Sequence, residues 1–291
     1  MKPFLKWAGG KTRLLPELLK YVPEKYERYI DPFVGGGALA FTLQPQKAIL
    51  GDVNQLLVQT YYGIISDMTQ VRIRLLIAAR RHKEDPVEFY KEMRRKLNKD
   101  DHIVSHLSAI FIYINKTCYN GLFRVNKRGK FNVPLDKNHV NVDEIADYEY
   151  IDNLKAIGCY LKNKEICLRD YDFRETLTQA SSGDFVYCDP PYHVKQKFGK
   201  NGNLLKSPTM YTAQGFTEKD QADLALICAD LAKKGCHLLA SNSDTDFIRQ
   251  TWGQYGCFDI HEVEAPRSIS CKGNGRVKVK ELIITNVRRE G

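Results

Sequence analysis

The run Gly183-Asp184-Phe185-Val186-Tyr187-Cys188-Asp189-Pro190-Pro191-Tyr192 carries the densest chemistry in a chain of 291 residues. Its aromatic and β-branched residues spell a short buried strand. The strand stops at an acid followed by two prolines, which cannot continue a sheet ladder. Open α/β sheets place their chemistry at such a carboxyl end. The prolines stiffen the turn, so the Asp189 carboxylate and the neighbouring carbonyls keep fixed directions, and Tyr192 adds a flat aromatic face. Asp189, Pro190, Pro191 and Tyr192 together could grip a planar amine. Read alone, the same residues could also end a strand in an ordinary turn.

A second group lies near the amino terminus. Arg28 to Leu39 reads as a strand, a glycine turn and a helix start, with Asp31, Phe33, Gly35, Gly36 and Gly37 at the turn. Glycines there let a ligand approach the backbone at a helix N-terminus. The next strand, Lys47 to Gly51, ends at Asp52. An acid about 15 to 20 residues past such a turn is placed for ribose hydroxyls. A third strand, Glu165 to Leu168, ends at Asp170 and Tyr171, an acid and an aromatic that suit a purine edge and ring. Gly10-Lys11-Thr12 invites a phosphate-loop reading, but Leu5 stands where that motif needs glycine and no buried strand precedes it. The glycine pair between Trp7 and Lys11 instead brings backbone close to a ligand, beside an indole and an ammonium.

Alternating strands and helices must hold these groups, and such alternation implies a mostly parallel, doubly wound α/β sheet. Helices are expected over Leu14 to Tyr21, over Asn54 to about Lys99, through Ile103 to Ile114, and from Asp143 to Leu161. Later elements are a helix with Leu224, Ile227 and Leu231, a strand from Cys236 to Ser241, and a helix near Asp246 to Trp252. Two closing strands, Gly256 to Glu264 and Val279 to Val287, flank a basic loop containing Arg267 and Ser268. Between Cys118 and Pro134 a hairpin is expected, turning near Lys127-Arg128-Gly129 and interleaving bases, amides and aromatics. Two-stranded ribbons fit the DNA major groove, where Arg and Asn read base edges; a basic surface hairpin is the plainer alternative. His193 to Gly215 lacks periodicity, as a functional lid or a disordered segment does.

The charge balance, 44 Lys and Arg against 35 Asp and Glu, favours a polyanionic partner and is also compatible with mere solubility. The eight cysteines form no Cys-x-x-Cys pair and read as reduced thiols, not as a disulfide framework or a zinc site. No apolar run approaches membrane-spanning length and Met1-Lys2-Pro3-Phe4 does not begin a signal peptide, so a cytoplasmic location is expected.

The order of these motifs is itself informative. Lys6-Trp7-Ala8-Gly9-Gly10-Lys11, Asp31-Pro32-Phe33-Val34-Gly35-Gly36-Gly37, Asp52, Asn120-Gly121-Leu122-Phe123-Arg124, Phe131-Asn132-Val133-Pro134 and Asp189-Pro190-Pro191-Tyr192 follow one another. Over nearly the whole chain this resembles the Dam-type DNA adenine methyltransferases, class I enzymes with motifs in the alpha-group order. The resemblance implies a Rossmann-like, seven-stranded sheet with an inserted recognition module. It divides the chain into a catalytic domain, 1–54 and 161–291, and a target-recognition domain, 55–160, with its β-hairpin at 118–134. It implies S-adenosylmethionine as methyl donor, no metal, and N6 of a flipped-out adenine in double-stranded DNA as acceptor, commonly within GATC.

Carried over by position, Trp7, Ala8, Gly9, Lys11, Asp31, Phe33, Gly35, Gly36, Gly37, Asp52, Asp170, Tyr171 and Asp189 would line the donor site. Asp189, Pro190, Pro191 and Tyr192 would hold the base. Lys6, Tyr119, Asn120, Leu122, Arg124, Asn132, Pro134, Arg267 and Ser268 would face DNA. A monomer is expected, and a restriction-modification role is among those implied. Leu135-Asp136-Lys137-Asn138-His139 departs from the family pattern and leaves the fine specificity open. Rival readings are a cytosine-N4 or RNA amino-methyltransferase, against which Asp rather than Ser at 189 argues, and a non-catalytic DNA-binding protein.

Overall fold

The computed structural model describes residues 1–99, 103–136, 142–163, 165–193, 197–198, 204–205, 215–266 and 278–288. Seven runs of apolar and β-branched residues form one sheet: β1 (Tyr29–Asp31), β2 (Ala48–Gly51), β3 (Ile166–Arg169), β4 (Phe185–Cys188), β5 (His237–Ser243), β6 (Asp259–Pro266) and β7 (Lys278–Thr285). Their spatial order is β3-β2-β1-β4-β5-β7-β6. The first five run parallel, and β7 lies antiparallel between β5 and β6. Strands β1, β2 and β4 are buried at every position, as parallel strands covered on both faces must be. The order reverses between β1 and β4, so the crevice of the sheet opens at their carboxyl ends, beside Asp31 and Asp189.

Helices cover both faces. On one side lie α1 (Leu15–Leu18), α2 (Ala38–Leu43), α3 (Gln55–Ser66), α4 (Met68–Glu84), α5 (Pro86–Leu97), α6 (Val104–Thr117) and α7 (Tyr148–Leu161); on the other lie α8 (Phe173–Leu177), α9 (Glu218–Lys233) and α10 (Asp246–Gly253). Successive strand residues feed opposite cores, because side chains alternate along a strand. Tyr29, Leu50 and Phe185 pack with α3 to α7, whereas Ile30, Ile49 and Val186 pack against α8, α9 and α10. The first core runs on from the sheet through α3 to α6 as far as Phe131 and Val133.

The stretch from Asn54 to Lys99 is three helices rather than one continuous pattern. Asn54, Asp67 and Asp85 each cap the helix that follows, accepting from Leu57 N, Gln70 N and Glu88 N. Pro86 then stands at the first position of α5, where its missing N–H costs nothing. Likewise the helix expected from Asp143 begins as a short 3-10 turn, Val142–Ala146, before Asp147 caps α7. Among the described residues no helix is long and apolar enough to cross a membrane. The lid or disordered loop expected from His193 to Gly215, and the basic loop around Arg267 and Ser268, fall largely or wholly outside the described residues; within the former, Lys197–Phe198 pairs antiparallel with Leu204–Leu205.

The expected hairpin is corrected in one respect. Residues 118–134 do fold back on themselves, but not as a two-stranded ribbon. The arms turn near Lys127-Arg128-Gly129 as expected and are joined by two isolated bridges, Cys118 with Leu135 and Val125 with Phe131, and by backbone bonds from Asn132 N to Arg124 O and Tyr119 N to Pro134 O, not by a continuous ladder. Asn120 and Gly121 adopt left-handed conformations (φ 54° and 63°), which bend the chain out of any ladder. Backbone bonds from Asn126 N to Lys130 O and from Gly129 N to Asn126 O close the tip.

Candidate active site

Asp189 leaves β4 next to Ser241, because the register pairs Cys188 with Ala240. The Ser241 hydroxyl donates to Asp189 Oδ1 at 2.8 Å, and Tyr187 OH lies 3.3 Å from Ser241 Oγ. The Lys11 ammonium reaches the same carboxylate oxygen at 2.8 Å and donates to Gly9 O at 2.8 Å. It also sits 4.4 Å from the centroid of the Tyr192 ring, a cation–π distance. The Tyr192 hydroxyl donates to Glu281 Oε2 at 2.7 Å, which fixes the ring. Pro191 O accepts from Gln221 Nε2 at 2.8 Å. Asp189 Oδ2 and Pro190 O, both acceptors, take no hydrogen bond from the described residues.

Burial pushes the Asp189 carboxyl above its usual range, while Lys11 and Ser241 oppose that shift. Burial is the larger influence because the carboxylate stands in a crevice walled by Tyr187, Tyr192 and Cys188.

The glycine turn lies across the crevice. Asp31 accepts from Phe33 N at 3.0 Å and from Tyr29 OH at 3.0 Å. Burial pushes its pKa up to about 8. Asp52 accepts from Gly35 N at 3.0 Å and from Asn54 N at 2.8 Å, and desolvation in the crevice raises it to about 6. Gly35 (φ 48°) could not be replaced freely, since a Cβ there would stand 2.8 Å from Cδ1 of Trp7. Gly37 (φ 72°) is more constrained still: a Cβ would meet the Phe41 ring at 2.4 Å. Glycine at 35 and 37 therefore brings the indole and the start of α2 onto the backbone. Asp170 follows Arg169, whose carbonyl accepts from Asp52 N at 3.1 Å, so the two acids are neighbours along the sheet edge. Asp170 and Tyr171 are exposed there. The Lys11 ammonium joins the Gly9 backbone to the Asp189 turn.

Trp7 also ties the crevice to the folded-back segment. Its ring stacks on Phe123 (5.7 Å, 28°) and meets Phe111 edge-on at 6.4 Å. Asn115, buried at the end of α6, accepts from Lys6 N and donates to Lys6 O, each at 2.8 Å. Lys6 thereby lies against Gly121, while Tyr119, Asn120, Arg124 and Pro134 are exposed nearby and Leu122 and Asn132 are half-buried. Arg124 Nε donates to Asn132 Oδ1 at 2.8 Å, a bond that presents both side chains on one side. The segment leans on Asn98, which exchanges bonds with the backbone of Phe131 at 2.7 and 3.0 Å. Arg267 and Ser268 lie outside the described residues.

Five polar residues at the site carry no motif: Ser241, Asn242, Gln221, His193 and Glu281. Sheet register brings Ser241, Asn242 and Glu281 to Asp189 and Tyr192, α9 brings Gln221, and His193 directly follows Tyr192, so pairing Asp189 with the strand from Cys236 was the one available signal for Ser241.

The strand order, with its antiparallel β7 and an acid-tipped turn at the switch point, is that of the Rossmann-like methyltransferases. Residues 7–269 match the family model of the D12 class N6 adenine-specific DNA methyltransferases. The chain belongs to that family and is an adenine-specific DNA methyltransferase. It is 38% identical over 306 residues to the type II methyltransferase M.MjaIII of Methanocaldococcus jannaschii, covering 98% of this chain and 99% of that one. It is 35% identical over 290 residues to the type II methyltransferase M1.LlaDCHI of Lactococcus lactis subsp. cremoris, covering 98% and 95%. With the DNA adenine methylase of Escherichia coli K12 the identity is 31% over 283 residues, covering 97% and 94%.

Proposed function

We propose that this enzyme transfers the methyl group of S-adenosylmethionine to N6 of an adenine extruded from double-stranded DNA. GATC is the first sequence to test. One observation carries the reading: at the Asp189–Tyr192 turn Asp189 Oδ1, Pro191 O and the Tyr192 hydroxyl are engaged, while Asp189 Oδ2 and Pro190 O take no hydrogen bond from the described residues. An exocyclic amine has two N–H bonds to give. With both accepted, its lone pair is pulled out of conjugation with the ring and directed away from the two oxygens. Fixed acceptors of this kind act through preorganised electrostatics and alignment, each worth several kcal/mol in suitable sites. The amine is inaccessible inside a stacked duplex, so the base has to leave it. Tyr192 offers a surface for the extruded ring, and Tyr119, 44% exposed, is available to fill the gap it leaves.

The donor site fits the same reading. Gly35 is packed so closely against Trp7 that a Cβ would fill the cradle, and Asn54 Nδ2 is buried with no partner. Asp52 keeps lone pairs for ribose hydroxyls beyond the two backbone N–H groups it already accepts. Trp7, Ala8, Gly9, Asp31, Phe33, Gly36, Asp170 and Tyr171 would complete the wall. Bound there, S-adenosylmethionine supplies a methyl group made electrophilic by its sulfonium. Lys11 balances the charge of Asp189 and keeps one of its oxygens engaged.

On this reading residues 1–54 and 161–291 form the catalytic unit and 55–160 the recognition unit, working as a monomer in the cytoplasm. Lys6, Tyr119, Asn120, Leu122, Arg124, Asn132 and Pro134 are assigned to DNA. Nucleoside mass analysis of duplex DNA treated with enzyme and donor tests the reaction. N6-methyladenine is the expected product; N4-methylcytosine, or modified RNA alone, would overturn the reading. Base-resolved mapping of the same DNA tests GATC.

A further inference from the structure

The polar residues behind the Asp189–Tyr192 turn are more elaborate than amine binding requires. Gln221 on α9 and Asn242 on β5 are each 1% exposed. A buried primary amide is costly unless its donors and acceptors are met. Here they meet each other, Asn242 Nδ2 donating to Gln221 Oε1 at 2.9 Å. What remains is directed at the turn. Gln221 Nε2 donates to Pro191 O at 2.8 Å, and Asn242 Oδ1 accepts from His193 N at 3.2 Å as well as from Ser243 N. Ser243 Oγ donates to His193 O. The His193 ring is bracketed in turn by Thr245 Oγ1 at 3.0 Å and Glu218 Oε1 at 3.1 Å.

The arrangement answers a problem that the prolines create. Pro190 and Pro191 have no N–H, so neither can donate a backbone hydrogen bond to hold the turn. Its position has to come from carbonyls and from the residues flanking it. Gln221 holds the carbonyl one residue after Pro190, and Asn242 holds the backbone one residue after Tyr192. Tyr192 lies between those two anchors, and the Pro190 carbonyl belongs to the peptide immediately before the first of them.

We propose that Gln221 and Asn242 are positioning residues for methyl transfer: as a buried amide pair they aim the Pro190 carbonyl and the Tyr192 ring at the acceptor amine. The proposal rests on the reading of Asp189–Tyr192 as the acceptor pocket. Gln221 and Asn242 bond to each other and to the backbone flanking Tyr192, not to Asp189 or to the Pro190 carbonyl, so both act through the turn.

Two single variants test it in the full chain. Gln221→Met keeps the reach and removes both bonds; Gln221→Glu keeps the shape and the Asn242 contact and removes only the donor to Pro191 O. For either, kcat should fall about 10- to 100-fold, while KM for duplex DNA and equilibrium binding of DNA and S-adenosylmethionine stay within about twofold. The double variant Gln221→Met with Asn242→Leu should lose about as much kcat as the worse single change, not the product of the two, because the amides act as a unit. A thermal melt checks folding, and Gln221→Glu reads the same bond if Gln221→Met does not fold. A folded variant with wild-type kcat, or one that loses binding while kcat is unchanged, overturns the proposal. Wild-type enzyme that makes no N6-methyladenine overturns the pocket reading and this inference with it; active wild type with unaffected variants overturns this inference alone.

Discussion

The catalytic crevice and the folded-back segment at 118–134 solve opposite problems with similar residues. At the crevice the acids are held from several sides, by backbone N–H groups at Asp31 and Asp52 and by Lys11 and Ser241 at Asp189, with Gln221 and Glu281 fixing the rest of that turn. The segment is tied down on its inner side only. Two isolated bridges, backbone bonds such as Asn132 N to Arg124 O, the Tyr90, Asn98 and Asn115 side chains, and the Trp7–Phe123 stack hold it, while Tyr119, Asn120, Arg124 and Pro134 stand in solvent. The difference teaches that the two regions should fail differently. Changes in the crevice should switch the reaction off, and changes in the segment should change which DNA is chosen.

The largest effect is expected from Asp189→Ala. Removing the carboxylate takes away one of the two amine acceptors, and turnover should fall on the order of a thousandfold or more in a single-turnover assay. Binding of duplex and donor, followed by titration, should stay near wild type. Asp189→Ala with full activity would break the comparison at its stronger end. Arg124→Ala should cost about 1–3 kcal/mol on the preferred sequence and relax discrimination at one base position, measured by competition between duplexes that differ there. A loss equal across all sequences would make Arg124 a phosphate contact and blur the contrast.

Asn98→Ala should be milder for chemistry. It removes both side-chain bonds to Phe131 and should cost about 1–3 kcal/mol of stability by denaturant melting, with weaker sequence selectivity and little change in the rate on saturating DNA.

The pH effect should be confined to the crevice. Asp31 is raised from 3.8 to about 8 and Asp52 from 3.8 to about 6, both chiefly by burial. Between the unfolded and folded values the folded protein holds protons that the unfolded chain has released. Stability is therefore greatest below about pH 4 as far as these two groups are concerned, and it declines as pH rises through 6 and then 8. Melting temperature should drift down across that window, and Asp31→Asn should flatten most of the drift. Activity should show the opposite slope on its acidic side, since Asp189 accepts N–H bonds best when ionised and its pKa too is raised. Arg124-dependent selectivity should not change over the same range.

Much of the crevice can be read from residue order, because each of its acids ends a strand. Asp31, Asp52, Asp170 and Asp189 follow β-branched or apolar runs, and glycine or proline marks the break after two of them. What could not be read depends on distance along the chain. Ser241 meets Asp189 across 52 positions, and Glu281 meets Tyr192 across 89, through a sheet order that no local pattern states. The division of Asn54 to Lys99 into three helices was obscured for a different reason. Asp67 and Asp85 are caps, but in a charged helical sequence a capping acid looks like any other polar position. At 118–134 the alternation of bases and aromatics suggested a continuous ladder, whereas the two arms pair only at isolated bridges and Asn98 adds side-chain bonds to the backbone of Phe131.

The most direct test is a structure of the enzyme with duplex DNA and a non-reactive donor analogue. The account predicts an extruded adenine whose N6 lies about 3 Å from both Asp189 Oδ2 and Pro190 O, with its ring over Tyr192. An adenine still stacked in the duplex, or an N6 amine held by neither oxygen, would contradict it.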